Sequence, residues 1–223
     1  YRYRLEKKLK ILFTYTKCIY LKYVVISNNK KNIFIDLGSN LGQGFNFFSQ
    51  HFKPSSFDYL LVEANPNLNS HLNKIIDRIG REKIHLINKA AFNHNGKAKL
   101  YGLVEDHRGK TSDGASIIRE SASREYKVNE RDAKEIECFR FVDKLKELKN
   151  YDNIIIKMDI EGSEYAVLND IIDNKDEIKN ITHIFVEFHA KFVADKFKVD
   201  FLKKENEVIS RLKNNKISYT SYV

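Results

Sequence analysis

Phe34-Ile35-Asp36-Leu37-Gly38-Ser39-Asn40-Leu41-Gly42-Gln43-Gly44 is a short apolar run that passes directly into a cluster of small residues. Three of the nine glycines of the chain fall within it. Residues 33–37 read as a buried strand, the glycines permit a tight turn and close approach to a ligand, and residues 43–51 read as the helix that follows. Asp36 stands near the end of the strand. A second apolar run, residues 59–62, ends in Glu63, 21 positions beyond Gly42. An acidic side chain at about that distance is placed to accept hydrogen bonds from both ribose hydroxyls of a bound nucleoside.

Downstream of this pair, strand and helix signals alternate. After Pro66 a helical stripe runs through Leu68, Leu72, Ile75, Ile76 and Ile79 and stops at Gly80. Residues 84–87 read as a strand, Asn93-His94-Asn95-Gly96 as a turn, and 98–103 as a short strand. Residues 105–120 are polar and are expected to form a long loop of the kind that covers substrates. A strand over 136–141, a helix over 142–148 and a strongly apolar strand over 153–158 come next. Tyr165, Leu168, Ile171 and Ile172 mark a helix, 182–188 a buried strand, 201–212 a helix and 217–223 an edge strand. This pattern predicts an α/β fold whose central sheet is mostly parallel and covered by helices on both faces.

A chain of 223 residues that is 42% apolar can bury one sizeable core. Its charge is unevenly distributed. Residues 1–31 carry nine Lys or Arg against Glu6 alone, a balance of +8 out of a total of +9, so the body from 32 to 223 is almost neutral. That leading segment, with Leu5, Leu9, Leu12, Ile19 and Tyr23 at helical spacing among its basic residues, reads as a basic amphipathic N-terminal helix. It is expected to pack its apolar stripe on the body. The alternative is docking on a membrane surface or an acidic partner. Cys18 and Cys138 lie too far apart for a metal motif and form no disulfide framework, which points to a reducing, cytoplasmic setting, with attachment to the periphery of a membrane as the variant of that expectation. No run of 18 apolar residues is present. Whether the sequence is a fragment stays open, because it begins at Tyr1 rather than Met.

In a parallel sheet the ligands sit beyond the carboxyl ends of the strands. Those ends deliver Asp36 with the Gly38–Gly42 turn, then Glu63-Ala64-Asn65, then Asn88-Lys89-Ala90-Ala91, then Asp159-Ile160-Glu161-Gly162-Ser163-Glu164, and finally Glu187-Phe188-His189. Carboxylates and amides recur at the ends of strands that are otherwise apolar. Helix capping explains individual cases, and Ser163 is expected to be such a cap. It does not explain the set.

The segments FIDLGSNLGQG, VEANP, INKAAFNHNG, SDGASI, IIKMDIEGSEYAVL and HIFVEFH resemble, in order and spacing, FkbM-type methyltransferases, a branch of the Rossmann-like class I enzymes that use S-adenosylmethionine. The resemblance spans about residues 32–189 and marks 32–223 as the methyltransferase domain, with 1–31 outside it. It implies S-adenosylmethionine as cofactor, with the amides of the Gly38–Gly42 turn facing its methionine part. Asp36 would hold its amino group, Asn40 its carboxylate, Glu63 its ribose, and Ala64, Asn65, Asn88 and Ala90 its adenine side. An in-line methyl transfer asks mainly for alignment of donor and acceptor and exclusion of water.

A hydroxyl acceptor needs its proton removed, and Asp159, Glu161, Glu187 and His189 are the candidate catalytic groups. His189 suits a base because its ordinary pKa is near neutrality. Ser112, Ser116 and Lys157 are the expected substrate contacts, with Lys157 also a partner for a neighbouring carboxylate. A divalent metal on Asp159, Glu187 and His189 is not the favoured reading, since no tight ligand spacing supports it. The expected activity is O-methylation of a sugar, glycan or other small-molecule hydroxyl. The closest rival is RNA 2′-O-methylation, suggested by the basic leader but weakened by the neutral body. A dinucleotide dehydrogenase would share the Gly-rich turn and Glu63, yet it has no use for the Asp159–Glu164 edge.

Overall fold

The computed structural model describes residues 2–25, 30–103, 114–122, 131 and 133–222. At its centre lie β1 (Asn32–Leu37) and β7 (Asn153–Met158), both buried at every position. Outward from β1 come β2 (Asp58–Val62) and β3 (Ile84–Ile87); outward from β7 come β8 (Ile181–Val186) and β9 (Tyr219–Ser221). The order is β3-β2-β1-β7-β8-β9, and every pairing is parallel. A second, three-stranded sheet, β4 (Ala90–Phe92), β6 (Lys134–Arg140) and β5 (Gly96–Leu100), leaves the main one just after β3. Its first strand, only three residues long, carries no periodicity and escapes the sequence pattern.

The central strands read as continuous apolar runs because both their faces are covered. Ile33, Ile35 and Leu37, with Ile154, Ile156 and Met158, pack on one side under α5 (Phe141–Glu147), α6 (Glu164–Asp173) and α7 (Asp195–Asn214). Phe34, Tyr59, Leu61, Ile155 and Phe185 point the other way, against α1 (Arg2–Tyr20), α2 (Gln43–Phe48) and α3 (Asn69–Ile79). Aromatic contacts bind α2 to that face, with Phe48 centred 5.3 Å from Phe34 and 4.8 Å from Phe185. His183 shares this face, wholly buried between Ser218 Oγ at 2.7 Å and Thr220 Oγ1 at 2.9 Å. Burial pushes its pKa down to about 3, so it is a neutral core residue.

One expectation lies largely beyond the described residues, and one needs correction. The 105–120 loop falls mostly outside the described residues; its described end is anchored by a bridge between Ser116 and Tyr101 and runs into the short α4 (Arg119–Ala122). The N-terminal helix forms, but its apolar stripe faces the wrong way for packing. Leu9, Leu12, Ile19 and Tyr23 are exposed, while Thr14, Cys18 and Leu21 make the buried face; Leu5 is outside the described side chains. A stripe fixes which residues share a face and leaves open which face meets the body. Among the described residues no helix is long and apolar enough to cross a membrane.

After β1 the chain moves to one side, and after β7 to the other. The crevice at the carboxyl ends of these two neighbours is therefore the expected ligand site. Gly38 makes their close approach there possible. Its φ is +75°, and a Cβ on it would lie 1.8 Å from the carbonyl oxygen of Asp159. We expect Gly38→Ala to destabilise the fold by more than the about 1–3 kcal/mol that such backbone strain alone costs, because the ends of β1 and β7 must also move apart. Urea unfolding of the variant measures this; an unchanged midpoint would contradict it.

Candidate functional site

The crevice is an open cleft enclosing, with the solvent at its mouth, about 680 Å³ of empty space. Its wall includes Gly38, Asn40, Glu63, Ala64, Asn65 and Ala90 from the expected cofactor set. Asp159 and Glu161 line it from the expected catalytic set, and Ser116 from the expected substrate set. Val62, Leu68, Ala91 and Leu100 add apolar wall, with Lys89, Ile160 and Ser163. No aromatic ring lines it among the described residues.

Glu63 is the keystone of one half. It is 8% exposed, its Oε2 accepts from the Asn40 N–H at 2.7 Å and its Oε1 from the Asn65 N–H at 2.7 Å. Burial raises its pKa, and the two backbone donors work against that rise. Each carboxylate oxygen keeps a further acceptor site beyond these bonds. The expectation that the amides of the Gly38–Gly42 turn face a ligand is overturned for most of them. Gly38 and Ser39 both donate to the Val62 carbonyl, Gly42 donates to the Ser39 carbonyl, and Asn40 donates to Glu63. The turn is built by its own hydrogen bonds.

Several expected contacts prove to be supports behind the wall. Asn88 donates to the Glu63 carbonyl at 2.7 Å and accepts from Asn69 at 2.8 Å, so it clamps β3 to β2 and α3. Gly42 serves the start of α2, where a Cβ would strike Ile75 of α3. Asp36 is wholly buried and is paired with Lys157 at 2.9 Å, which corrects its assignment to a cofactor amino group. Lys157, expected at the substrate, is 3% exposed and donates to the Gly38 carbonyl at 2.7 Å, with Asp159 3.6 Å away. Burial pushes the Lys157 pKa down, but Asp36 and Asp159 together outweigh it and hold the ammonium above its ordinary value. Ser116 reaches the cleft, but its hydroxyl donates to the Glu161 carbonyl at 2.5 Å and accepts from the Ile118 N–H at 2.8 Å. Ser112 lies outside the described residues.

The other half of the site is an ionisable cluster. Glu164, wholly buried at the start of α6, accepts from the Gly162 N–H at 2.8 Å, from the His189 N–H at 3.0 Å, and meets His189 Nδ1 at 2.9 Å. That fixes the ring with Nε2 aimed at Asp159 Oδ1 at 3.4 Å and Glu161 Oε2 at 3.3 Å. Burial disfavours the imidazolium, yet Glu164 and Glu161 outweigh it and hold the His189 pKa well above its usual value. Burial likewise pushes Glu161 and Glu187 up to about 7. Glu161 sits at φ 52° beside Gly162 at φ 95°, a left-handed pair that turns its carboxylate into the cleft. Such backbone strain is concentrated at functional positions. His189 is 3% exposed and stands behind Asp159 and Glu161 rather than on the wall. Asp159, Glu187 and His189 could also hold a cation, their ligand atoms lying within 4.8 Å of one another.

Ser163 was expected to cap α6 and does not. Its hydroxyl has no hydrogen-bond partner among the described residues, although the side chain is 1% exposed and borders the cleft. A buried hydroxyl without a partner at a cavity wall is a ligand contact in waiting. Its position in the Asp159–Glu164 turn was the only sequence signal for it.

A family model described as the methyltransferase FkbM domain matches residues 36–214. Similar solved structures include the methyltransferase FkbM of Methylobacillus flagellatus KT, at 15% identity and a TM-score of 0.47, with 84% of this chain and 39% of that one covered. Another is the O-MT segment of StiE, at 8% identity and a TM-score of 0.36, covering 93% of this chain and 59% of that one. This chain thus spans less than two thirds of either. No curated protein matches it.

The buried ion pair under the site sets a testable energy. Lys157→Met leaves Asp36 buried without its counter-charge, which costs about 3–5 kcal/mol. Lys157→Met combined with Asp36→Leu removes both charges and is expected to recover most of that loss. Denaturant unfolding of the single and double variants would contradict the pairing if the double variant were the less stable.

Proposed function

This chain belongs to the FkbM methyltransferase domain family, and we propose that it transfers the methyl group of S-adenosylmethionine to a hydroxyl of a sugar, glycan or other small hydroxylated molecule. The observation that supports this most is the pairing of two unlike halves across one cleft. A fixed carboxylate, Glu63, closes one end, and a titratable cluster around Glu161 closes the other.

Bound S-adenosylmethionine would supply a methyl group activated on a sulfonium. Glu63, held by the Asn40 and Asn65 amides, has acceptor sites left for a vicinal diol. Leu68, Ala90, Ala91 and Leu100 offer the apolar wall that an adenine ring needs. Gly38 and Ser163, which also line the cleft, would border the methionine part. The acceptor hydroxyl would give up its proton to the protein as it takes that methyl group. Asp159 and Glu161 meet the hydroxyl at the wall, with His189 Nε2 directly behind them to share the proton. Carboxylates suit acceptors rich in hydroxyl donors, and the absence of ring side chains from the described wall disfavours a flipped base. Lys157 already places a positive charge beside Asp159, and the proposed reaction calls on no metal.

Glu63→Gln sets an amide N–H against one of the two backbone donors and removes a charged acceptor. It should weaken S-adenosylmethionine binding by about 1.5–3 kcal/mol in calorimetry; unchanged affinity would place the ribose elsewhere. His189→Ala and Asp159→Asn should instead lower turnover by about 10²–10⁴-fold with donor affinity nearly intact. The working form of the cluster must accept a proton. Activity should therefore rise with pH from about 7, where Glu161 and Glu187 lose theirs, and go on rising through the elevated pKa of His189. Glu161→Gln takes away one of the carboxylates that raise His189, so the rising limb should move to lower pH. A profile that stays in place would show that these groups do not titrate together. Activity lost on exhaustive chelation and restored by a divalent ion would overturn the metal-free reading.

A further inference from the structure

The apolar surface of this protein is concentrated on one face of one helix. Ten large apolar side chains are exposed among the described residues, and eight of them lie between Leu9 and Tyr23; only Val199 and Leu202 lie elsewhere. Leu9, Leu12, Phe13, Ile19, Tyr20 and Tyr23 recur at helical spacings of three, four and seven (9/12, 9/13, 12/19, 13/20, 19/23), so they share the outward side of α1 and of the turn Leu21–Val25 that continues it. Leu12 is 59% exposed, Phe13 61% and Tyr23 72%. The opposite side, Thr14, Cys18 and Leu21, is buried on the sheet, which fixes the outward direction of the stripe. The segment 1–31 that contains the helix holds +8 of the +9 charge of the chain. Two of its lysines lie along the stripe, with Lys17 Nζ 5.1 Å from the ring centre of Tyr20 and Lys22 Nζ 4.7 Å from that of Tyr23.

We propose that the outward face of α1 lies on an anionic lipid bilayer. A helix with an aliphatic and aromatic face bordered by lysines fits the boundary between acyl chains and headgroups, the rings and leucines entering while the lysine stems reach back to the phosphates. From Leu9 to Tyr23 the face is about 20 Å long at 1.5 Å per residue, enough to lie along a surface. No helix among the described residues is apolar enough to cross one. A second copy of the chain fits this face poorly, since two segments of +8 would be brought together. A nucleic acid would find the lysines but leave the leucines and isoleucine without a partner. The negative headgroups of a bilayer answer the charge, and its interior answers the stripe.

The test is co-sedimentation of the full chain with vesicles. One set is phosphatidylcholine alone and the other is equal parts phosphatidylcholine and phosphatidylserine. Binding is expected on the anionic vesicles, to weaken as salt is raised, and to be at least about tenfold weaker on the neutral ones, as screening of several charges implies. Leu12→Ser combined with Ile19→Ser, both exposed positions, should lose anionic binding by a similar factor with the melting temperature unchanged. Absence of binding to either vesicle overturns the proposal, as does equal binding to both. Undiminished binding by the double variant overturns it too, since charge alone would then suffice. If the full chain forms a dimer without lipid that the double variant does not, the face belongs to a second copy instead.

Discussion

The ammonium of Lys157 is the point on which the carboxyl edge of this sheet is assembled. It lies opposite Asp36 in the β1–β7 ladder and ends between the Asp36 carboxylate and the Gly38 carbonyl, within reach of Asp159. A buried ion pair is weak evidence of stability by itself, because desolvation offsets much of the attraction. Here it organises its neighbours. At Gly44 a Cβ would crowd the Lys157 stem, with Cε 3.0 Å away, and the Gly38 carbonyl is turned to receive the proton of Nζ. The same crossing brings the Asp159 carbonyl against Gly38. The ends of β1 and β7 are thus held together by a buried charge.

This arrangement separates a fixed half of the cleft from a titratable half. On the β1 and β2 side, the Glu63 carboxylate is bound by two backbone amides and those of the Gly38–Gly42 turn are taken up internally. Nothing there needs to move a proton. On the β7 and β8 side, Asp159, Glu161, Glu164, Glu187 and His189 crowd together, with burial raising Glu161 and Glu187 and the negative charge of Glu164, Glu161 and Asp159 raising the histidine. Glu164 gives that crowd its geometry, since one oxygen holds both the ring and the backbone of His189. Proton transfer belongs to groups whose environments bring their pKa values toward neutrality.

Much of this was legible in the residues. The apolar runs ending in Asp36, Glu63, Asp159 and Glu187 gave the sheet and its working edge, because a strand covered on both faces must be apolar until it leaves the core. The reasons behind the residues were harder to read. The glycines suggested a turn open to a ligand, whereas Gly38 and Gly44 are small to let protein atoms pass, a contact between segments more than a hundred residues apart. Lys157 and Asp36 looked like site residues because charge at a strand end usually is one. Only the ladder register shows that they face each other inside. Ser163 looked like a helix cap by type and place, and only the geometry leaves its hydroxyl toward the cleft.

The N-terminal helix shows the limit of pattern most clearly. Its stripe was correctly identified and its direction was not, because periodicity is a property of the helix alone and direction a property of what the helix rests on. Cys18 and Leu21 of the N-terminal segment belong to the same buried cluster as Phe34, Phe45, Phe48 and Phe185, and Thr14 is buried on the same small side of the helix. A helix that rests its narrow side on a crowded core must turn its broad apolar side outward. The same packing that completes the fold therefore leaves the apolar side of this helix exposed, with Lys17 and Lys22 stacked over its tyrosines.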